Sequence, residues 1–137
     1  MQNIRRNGTI FEFGFSVMQN VLVFGGAGYI GSHACKALAA DGYRPIAYDN
    51  LSRGNGWAVK WGPLEEGDIS DISKVRALLE KYEPSGVMHF AAYAYVGESN
   101  ERPLMYYANN FCGTLALLRT ITDHARVPVV FSSSCAT

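Results

Sequence analysis

The sequence has no block of like charge: 12 basic residues balance 12 acidic ones over 137 positions, for a formal net charge of zero. A nucleic-acid or anionic-membrane surface needs clustered lysine and arginine, so neither partner is expected. Cysteine is scarce. Cys35, Cys112 and Cys135 are the three present and stand far apart. No C-x-x-C pair or His/Cys group has metal-ligand spacing, so no metal site is expected. Three scattered thiols suit a reducing compartment, and a cytoplasmic location is expected. They read as small apolar core or loop residues. No apolar run approaches the roughly 20 residues of a membrane-spanning helix. Arg5 and Arg6 precede a mostly apolar stretch at 10–17. Glu12 and Gly14 interrupt it and no A-x-A cleavage site comes after it, so a leader of secretory or twin-arginine type is not indicated.

What is present is ordinary globular composition, 48% hydrophobic and 18% charged, at about the length of one domain. Residues 1–17 alternate apolar and polar positions around Phe11, Phe13, Phe15 and Val17, yet no hairpin signal ties them to the next apolar run. Met18 reads as the natural start, with residues 1–18 an extension; an added edge strand is the alternative. From residue 19 to 137 short apolar runs alternate with helical patterns. Strands are expected at 20–24, 45–48, 86–90 and 128–131, with a weak one within 62–67. Helices are expected at 29–40, 71–82 and 103–125, with Pro103 in the first turn of the last. Their apolar faces read as Ile30, Ala34, Ala37 and Leu38; as Ile72, Val75, Leu78 and Leu79; and as Leu104, Tyr107, Leu115, Leu118 and Ile121. Such alternation predicts an α/β fold: a doubly wound parallel sheet of Rossmann type, about five strands in the order 3-2-1-4-5.

The strongest local signal is Gly25-Gly26-Ala27-Gly28-Tyr29-Ile30-Gly31. It contains G-x-G-x-x-G from Gly26 and G-x-x-G-x-x-G from Gly25. A chain turning sharply from strand to helix, with its backbone open to a pyrophosphate, needs residues without side chains there. The helix start then offers free N–H groups and the positive end of its dipole. An apolar strand precedes the motif and an amphipathic helix succeeds it, the context a dinucleotide site requires. Asp49 ends the next strand, about 20 residues on, where a ribose-binding acid is expected. Its charge favours NAD over NADP, although Arg53 could neutralise a phosphate. Asp68 ends the weak third strand, near the place of an adenine; a helix N-cap or turn acid is the other reading.

Further blocks make a resemblance specific. The run 25–33 reads GGAGYIGSH, 49–52 DNLS, 67–69 GDI, 89–92 HFAA and 96–99 VGES. Tyr106-Tyr107-Ala108-Asn109-Asn110 and Gly113-Thr114 come next, and 131–137 reads FSSSCAT. In this order and spacing the chain resembles the extended short-chain dehydrogenase/reductase family, and within it the UDP-glucose 4-epimerases, over residues 19–137. The resemblance implies that Gly25, Gly28, Gly31, Tyr29 and Ile30 meet the pyrophosphate of NAD. It implies that Asp49, Asn50, Leu51, Ser52, Arg53 and Gly54 surround the adenosine ribose, and that Asp68 and Ile69 flank the adenine. Phe90, Ala91 and Ala92 would line the nicotinamide side, with Asn109 reaching in from the long helix. Ser134 matches the catalytic serine that would hydrogen-bond the 4-OH of a UDP-sugar. Homodimerisation through the long helix is also implied.

Two departures qualify that picture. The family's Tyr-x-x-x-Lys pair, its proton acceptor and partner, is absent from the 137 residues; Tyr82, Tyr93, Tyr95, Tyr106 and Tyr107 have no lysine four positions on. Ala94 stands where many epimerases carry lysine. The substrate-binding C-terminal region is absent too, so the chain reads as a truncated cofactor half, inactive alone and with an exposed sheet edge at its fifth strand. A pentose 4-epimerase, a dehydratase or a decarboxylase would share this half, and a non-catalytic NAD-binding module is the alternative of another class. Among the remaining residues, His33 reads as a packing or capping residue and His89 as a hydrogen-bonded interior one. His124 suits a helix C-terminus. Trp57 and Trp61 are expected to pack the adenosine loop onto the sheet, and Glu98 to serve a turn or cap.

Overall fold

The computed structural model describes residues 18–133. The sequence readings that fall on residues 1–17 and 134–137 lie outside the described residues. Five parallel strands form one sheet in the order β3-β2-β1-β4-β5. They are β1 (Asn20–Phe24), β2 (Arg44–Asp49), β3 (Leu64–Glu66), β4 (Gly86–His89) and β5 (Val129–Phe131). Phe24 is level with Tyr48 on one side and His89 on the other, so the C-terminal ends of the three central strands form one rim.

The strands lack a polar face because both faces are covered. Alternate residues serve opposite layers. Leu22, Phe24, Ile46, Tyr48 and Val87 pack with Val75, Leu78 and Leu79 of α2 (Ile72–Tyr82) and Leu117 and Ile121 of α5 (Thr114–His124). Val21, Val23 and Ala47 point the other way, against Cys35 and Leu38 of α1 (Tyr29–Ala40). Burial raises the Cys35 thiol to about 11, so it stays protonated.

The helix faces differ in part from those the sequence suggested. In α1 the buried positions are Gly31 and Cys35, with Leu38 partly buried, while Ile30 and Ala37 are exposed. Alanine-rich periodicity left the phase open by one residue, and the small Gly31 decided it by packing closest. In α2 Ile72 is exposed and Tyr82 completes the buried stripe. Asp71 is the N-cap of that helix, its side chain accepting the Lys74 N–H at 3.0 Å.

The expected helix over 103–125 is composite. A separate short helix, α3 (Val96–Glu101), precedes it. Pro103 then opens α4 (Pro103–Tyr106), a π-helical segment spans Tyr107–Gly113, and α5 continues. Its buried side is Gly113, Leu117, Thr120 and Ile121. Leu104, Tyr107, Phe111 and Leu115 are exposed. The segment is apolar on two opposite sides, and periodicity alone could not say which one meets the sheet. β5 lies at the sheet edge, with Val130 and Phe131 both about half exposed.

His89 is interior, as its strand position suggested. Its Nε2 lies 2.8 Å from Thr114 Oγ1, and its Nδ1 meets no partner among the described residues. Burial lowers its pKa to about 4, so the ring is neutral at pH 7.

This packing has two measurable consequences. Phe24→Ala empties a fully buried site at the centre of the sheet and should cost about 3–5 kcal/mol, read by urea unfolding with far-ultraviolet circular dichroism; an unchanged midpoint would contradict the described core. His89 has a folded pKa below its unfolded value near 6.5, so the unfolded chain takes up the proton first. Its contribution is therefore intact above about pH 6.5 and is lost as pH falls towards 4, on the order of 3 kcal/mol in all. The stability difference between the wild type and His89→Leu should shift by that amount across the window; a pH-independent difference would refute the neutral buried ring.

Candidate functional site

The site begins where β1 turns into α1. Gly25 sits at φ +79°, and a Cβ on it would come within 2.6 Å of the Ala91 nitrogen. A Cβ on Gly31 would lie 2.1 Å from the Gly25 carbonyl oxygen. Neither position tolerates a side chain without moving backbone, so the first turn of α1 is pressed onto the turn before it. The Gly25 N–H donates to the Tyr48 carbonyl at 2.8 Å, and the Gly28 N–H to the Gly25 carbonyl at 3.1 Å. Helical bonding starts only with the Ser32 N–H on the Gly28 carbonyl. The amides of Tyr29, Ile30 and Gly31 thus have no acceptor among the described residues. No side chain caps the helix and its first turn holds no acid. These donors and the aligned peptide dipoles leave the turn electropositive and suited to an anion.

Asp49 closes the turn from the second strand. It is buried, and its two oxygens divide the work: Oδ2 accepts the Ala27 N–H at 3.0 Å and Oδ1 the Leu51 N–H at 2.9 Å. Each oxygen keeps a free lone pair for a hydroxyl donor. Gly54 packs so tightly here that a Cβ would sit 2.9 Å from Asp49 Oδ1.

A cleft of about 560 Å³ runs along the strand rim from this point. The residues that the sequence placed at a pyrophosphate, Gly25, Gly28, Tyr29, Ile30 and Gly31, line one end with Asp49, Asn50, Ser52, Arg53 and Gly54. Ile69 lines it from the β3 side, Phe90, Ala91 and Ala92 from β4, and Asn109 from the π-helical segment. Two expected members do not line it. Leu51 adopts φ +57° and contributes its backbone N–H to Asp49 instead. The Asp68 carboxylate is engaged locally, accepting the Ser70 N–H and hydroxyl at one oxygen and the Asn50 amide at the other. These bonds outweigh burial and hold its pKa below the usual carboxylate range. The local bonds fit the turn-acid reading of Asp68, and Oδ2, whose one partner among the described residues is the Asn50 amide, keeps acceptor capacity for a ligand. Ser134 lies outside the described residues; its neighbours Ser132 and Ser133 line the far end of the cleft.

The cleft also takes in residues to which the sequence reading gave no place in the site. Tyr93, Ala94 and Tyr95 form a wall, and Asn110 stands beside Asn109. The Asn110 side chain imitates a strand: its Oδ1 accepts the Tyr93 N–H at 2.8 Å and its Nδ2 donates to the Tyr93 carbonyl at 2.9 Å. Two adjacent asparagines in a helical run, each a poor helix former, were the available signal.

Glu98 departs most from its expected turn or cap role. From α3 it forms an ion pair with Arg53, and its Oε2 lies 2.9 Å from the Tyr106 hydroxyl. The Tyr106 hydroxyl above all, and then Arg53, hold the Glu98 carboxyl below its ordinary range against the effect of burial. Trp57 and Trp61 stand beside residues of α1, among them Ser32, His33 and Lys36. Trp57 is 75% exposed and Trp61 43%, and Lys36 Nζ lies 5.8 Å from the Trp61 ring centre. His33 places Nδ1 2.8 Å from the Tyr29 carbonyl oxygen, and His124 repeats this with Thr120 at 2.9 Å. Among the described residues no His, Cys, Asp and Glu group could hold a metal, and no helix is long and apolar enough to cross a membrane.

Known proteins share much of this sequence and its fold. The UDP-glucose 4-epimerase of Rhizobium leguminosarum bv. trifolii is 50% identical over 119 residues, covering 87% of this chain and 36% of that protein. A putative UDP-arabinose 4-epimerase 2 of Arabidopsis thaliana is 46% identical over 128 residues, 86% of this chain and 31% of the relative. The crystal structure of UDP-glucose 4-epimerase from Brucella ovis in complex with NAD superposes with a TM-score of 0.84 at 55% identity, over 87% of this chain and 37% of that one. The chain thus spans about a third of the length of the relatives it matches. Residues 21–137 match the family model described as the NAD dependent epimerase/dehydratase family, and it is to this family that the chain belongs.

Proposed function

We propose that the chain forms the NAD-binding part of a UDP-sugar 4-epimerase, with UDP-glucose and UDP-galactose as its substrates. The observation that carries the reading is the pairing of free amides at Tyr29, Ile30 and Gly31 with the Asp49 carboxylate across one cleft. A dinucleotide carries the two groups that this pair would recognise, a pyrophosphate and a ribose diol. The glycine contacts fit such a ligand, because the turn stays bare where phosphate oxygens must approach. The name of the Brucella ovis structure supports the choice of NAD. The epimerase names of the curated relatives support the reaction, and the arabinose relatives make a UDP-pentose the second reading for the sugar.

NAD bound in such a cleft supplies reversible hydride acceptance at the sugar C4. The chain's own residues position it. The helix amides hold the pyrophosphate, and Asp49 accepts from the ribose hydroxyls. Phe90, Ala91 and Ala92 offer an apolar floor, and Asn109 and Asn110 stiffen the wall opposite. Ser134 comes directly after the rim residues Ser132 and Ser133 and takes the role of hydrogen-bonding the 4-OH. The Tyr-x-x-x-Lys pair that would take the hydroxyl proton is not within the 137 residues, so these residues alone are not expected to convert UDP-galactose. The outward stripe of Leu104, Tyr107, Phe111 and Leu115 suits a second copy of the chain, an apolar helix face being costly to leave in water.

Calorimetric titration should show NAD binding with NADP weaker by at least about tenfold, since Asp49 repels a 2′-phosphate. Gly31→Val, which drives atoms into the Gly25 carbonyl, should abolish NAD binding. Equal affinity for the two nucleotides, or full binding by Gly31→Val, would remove the basis of the assignment. Phe111→Glu should turn a dimer in sedimentation velocity into a monomer without affecting NAD affinity; a wild type that is monomeric at tens of micromolar would count against the stripe as a dimer face.

A further inference from the structure

Arg53 is the only lysine or arginine among the described residues that line the cleft. It stands four positions after Asp49, and its neighbour Gly54 lies against the Asp49 carboxylate. A cation at that place is what a dinucleotide site uses to accept a phosphorylated ribose. Taken with Asp49 alone, Arg53 would leave the site ambivalent between the two nicotinamide dinucleotides.

The guanidinium, however, is already engaged elsewhere. It is ion-paired to Glu98 of α3. Its central carbon lies 4.6 Å from the Tyr95 ring centre and 5.3 Å from that of Tyr93, so aromatic faces flank it. Glu98 is itself fixed by Tyr106, whose hydroxyl oxygen lies 2.9 Å from both the carboxylate and the Tyr95 carbonyl and accepts the Tyr95 N–H at 3.1 Å. An exposed ion pair on its own contributes little. Here the partner is anchored and the cation is stacked, so turning Arg53 towards the ribose would forfeit several contacts together. The side chain thereby straps the loop after β2 to the segment joining β4 and α3 across the mouth of the cleft.

We propose that Glu98 is a specificity-determining positioning residue. It commits Arg53 to the Tyr93–Tyr95 wall and withholds this cation from a 2′-phosphate, so that the preference for NAD has two origins, repulsion by Asp49 and sequestration by Glu98. The inference rests on the dinucleotide reading of the cleft.

The test measures binding of NAD and NADP to the wild type, to Glu98→Gln and to the double variant Glu98→Gln/Arg53→Met. Glutamine keeps the shape and can still accept from Tyr106 but carries no charge. The expected result is a gain: NADP affinity of Glu98→Gln rises by about tenfold, as one charge-assisted contact to phosphate would give. NAD affinity should change by no more than about threefold. The gain should shrink at high salt and vanish in the double variant. Local damage would weaken both nucleotides and could not tighten one of them. Unchanged or weaker NADP binding by Glu98→Gln, or a gain that survives loss of Arg53, overturns the proposal. A wild type that binds neither nucleotide overturns the dinucleotide reading itself, and the proposal with it.

Discussion

Two stretches of bare backbone touch at the start of α1, and the remaining features of the site depend on that contact. A Cβ at Gly31 would fall 2.1 Å from the Gly25 carbonyl oxygen. Because nothing intervenes, the helix begins directly over the end of β1 and its unbonded amides face the strand rim. Asp49 then ties the turn to β2 through the Ala27 N–H. The electropositive turn and the carboxylate are thereby held in fixed relation by backbone N–H groups that donate to the buried Asp49 side chain.

The fold was legible because its signals were local and redundant. Unbroken apolar runs such as Val21-Leu22-Val23-Phe24 announce strands covered on both faces, and glycine or proline punctuates the chain between them. Parallel pairing and right-handed crossovers then leave almost no freedom in strand order. The glycine motif and Asp49 were equally plain, since their chemistry lies in spacing. The sequence was silent where several orientations satisfy one pattern. The run 103–124 is apolar on two sides, and the choice between them is made by packing against α2 and the sheet rather than by the helix itself. Alanine-rich α1 hid its phase for a related reason, as alanine is indifferent to which side faces inward.

The pairings that escaped notice join residues remote in the chain. Arg53 and Glu98 are 45 positions apart, and Asn110 reaches Tyr93 across 17. Spacing along the chain carries no trace of such pairs. Asp68 shows the converse. Its position at a strand end drew attention to the ligand side, while the partners it has lie close in the chain: Ser70 two residues on gives one carboxylate oxygen both its N–H and its hydroxyl.

The position of the two tryptophans bears on how the molecule can be observed. Both sit in the short stretch after β2 and neither belongs to the buried core, which is built from phenylalanine, tyrosine and aliphatic side chains. Indole emission from the described residues therefore reports on that one loop. It follows the surroundings of the loop and not those of the buried core, so fluorescence and circular dichroism observe two different parts of this protein.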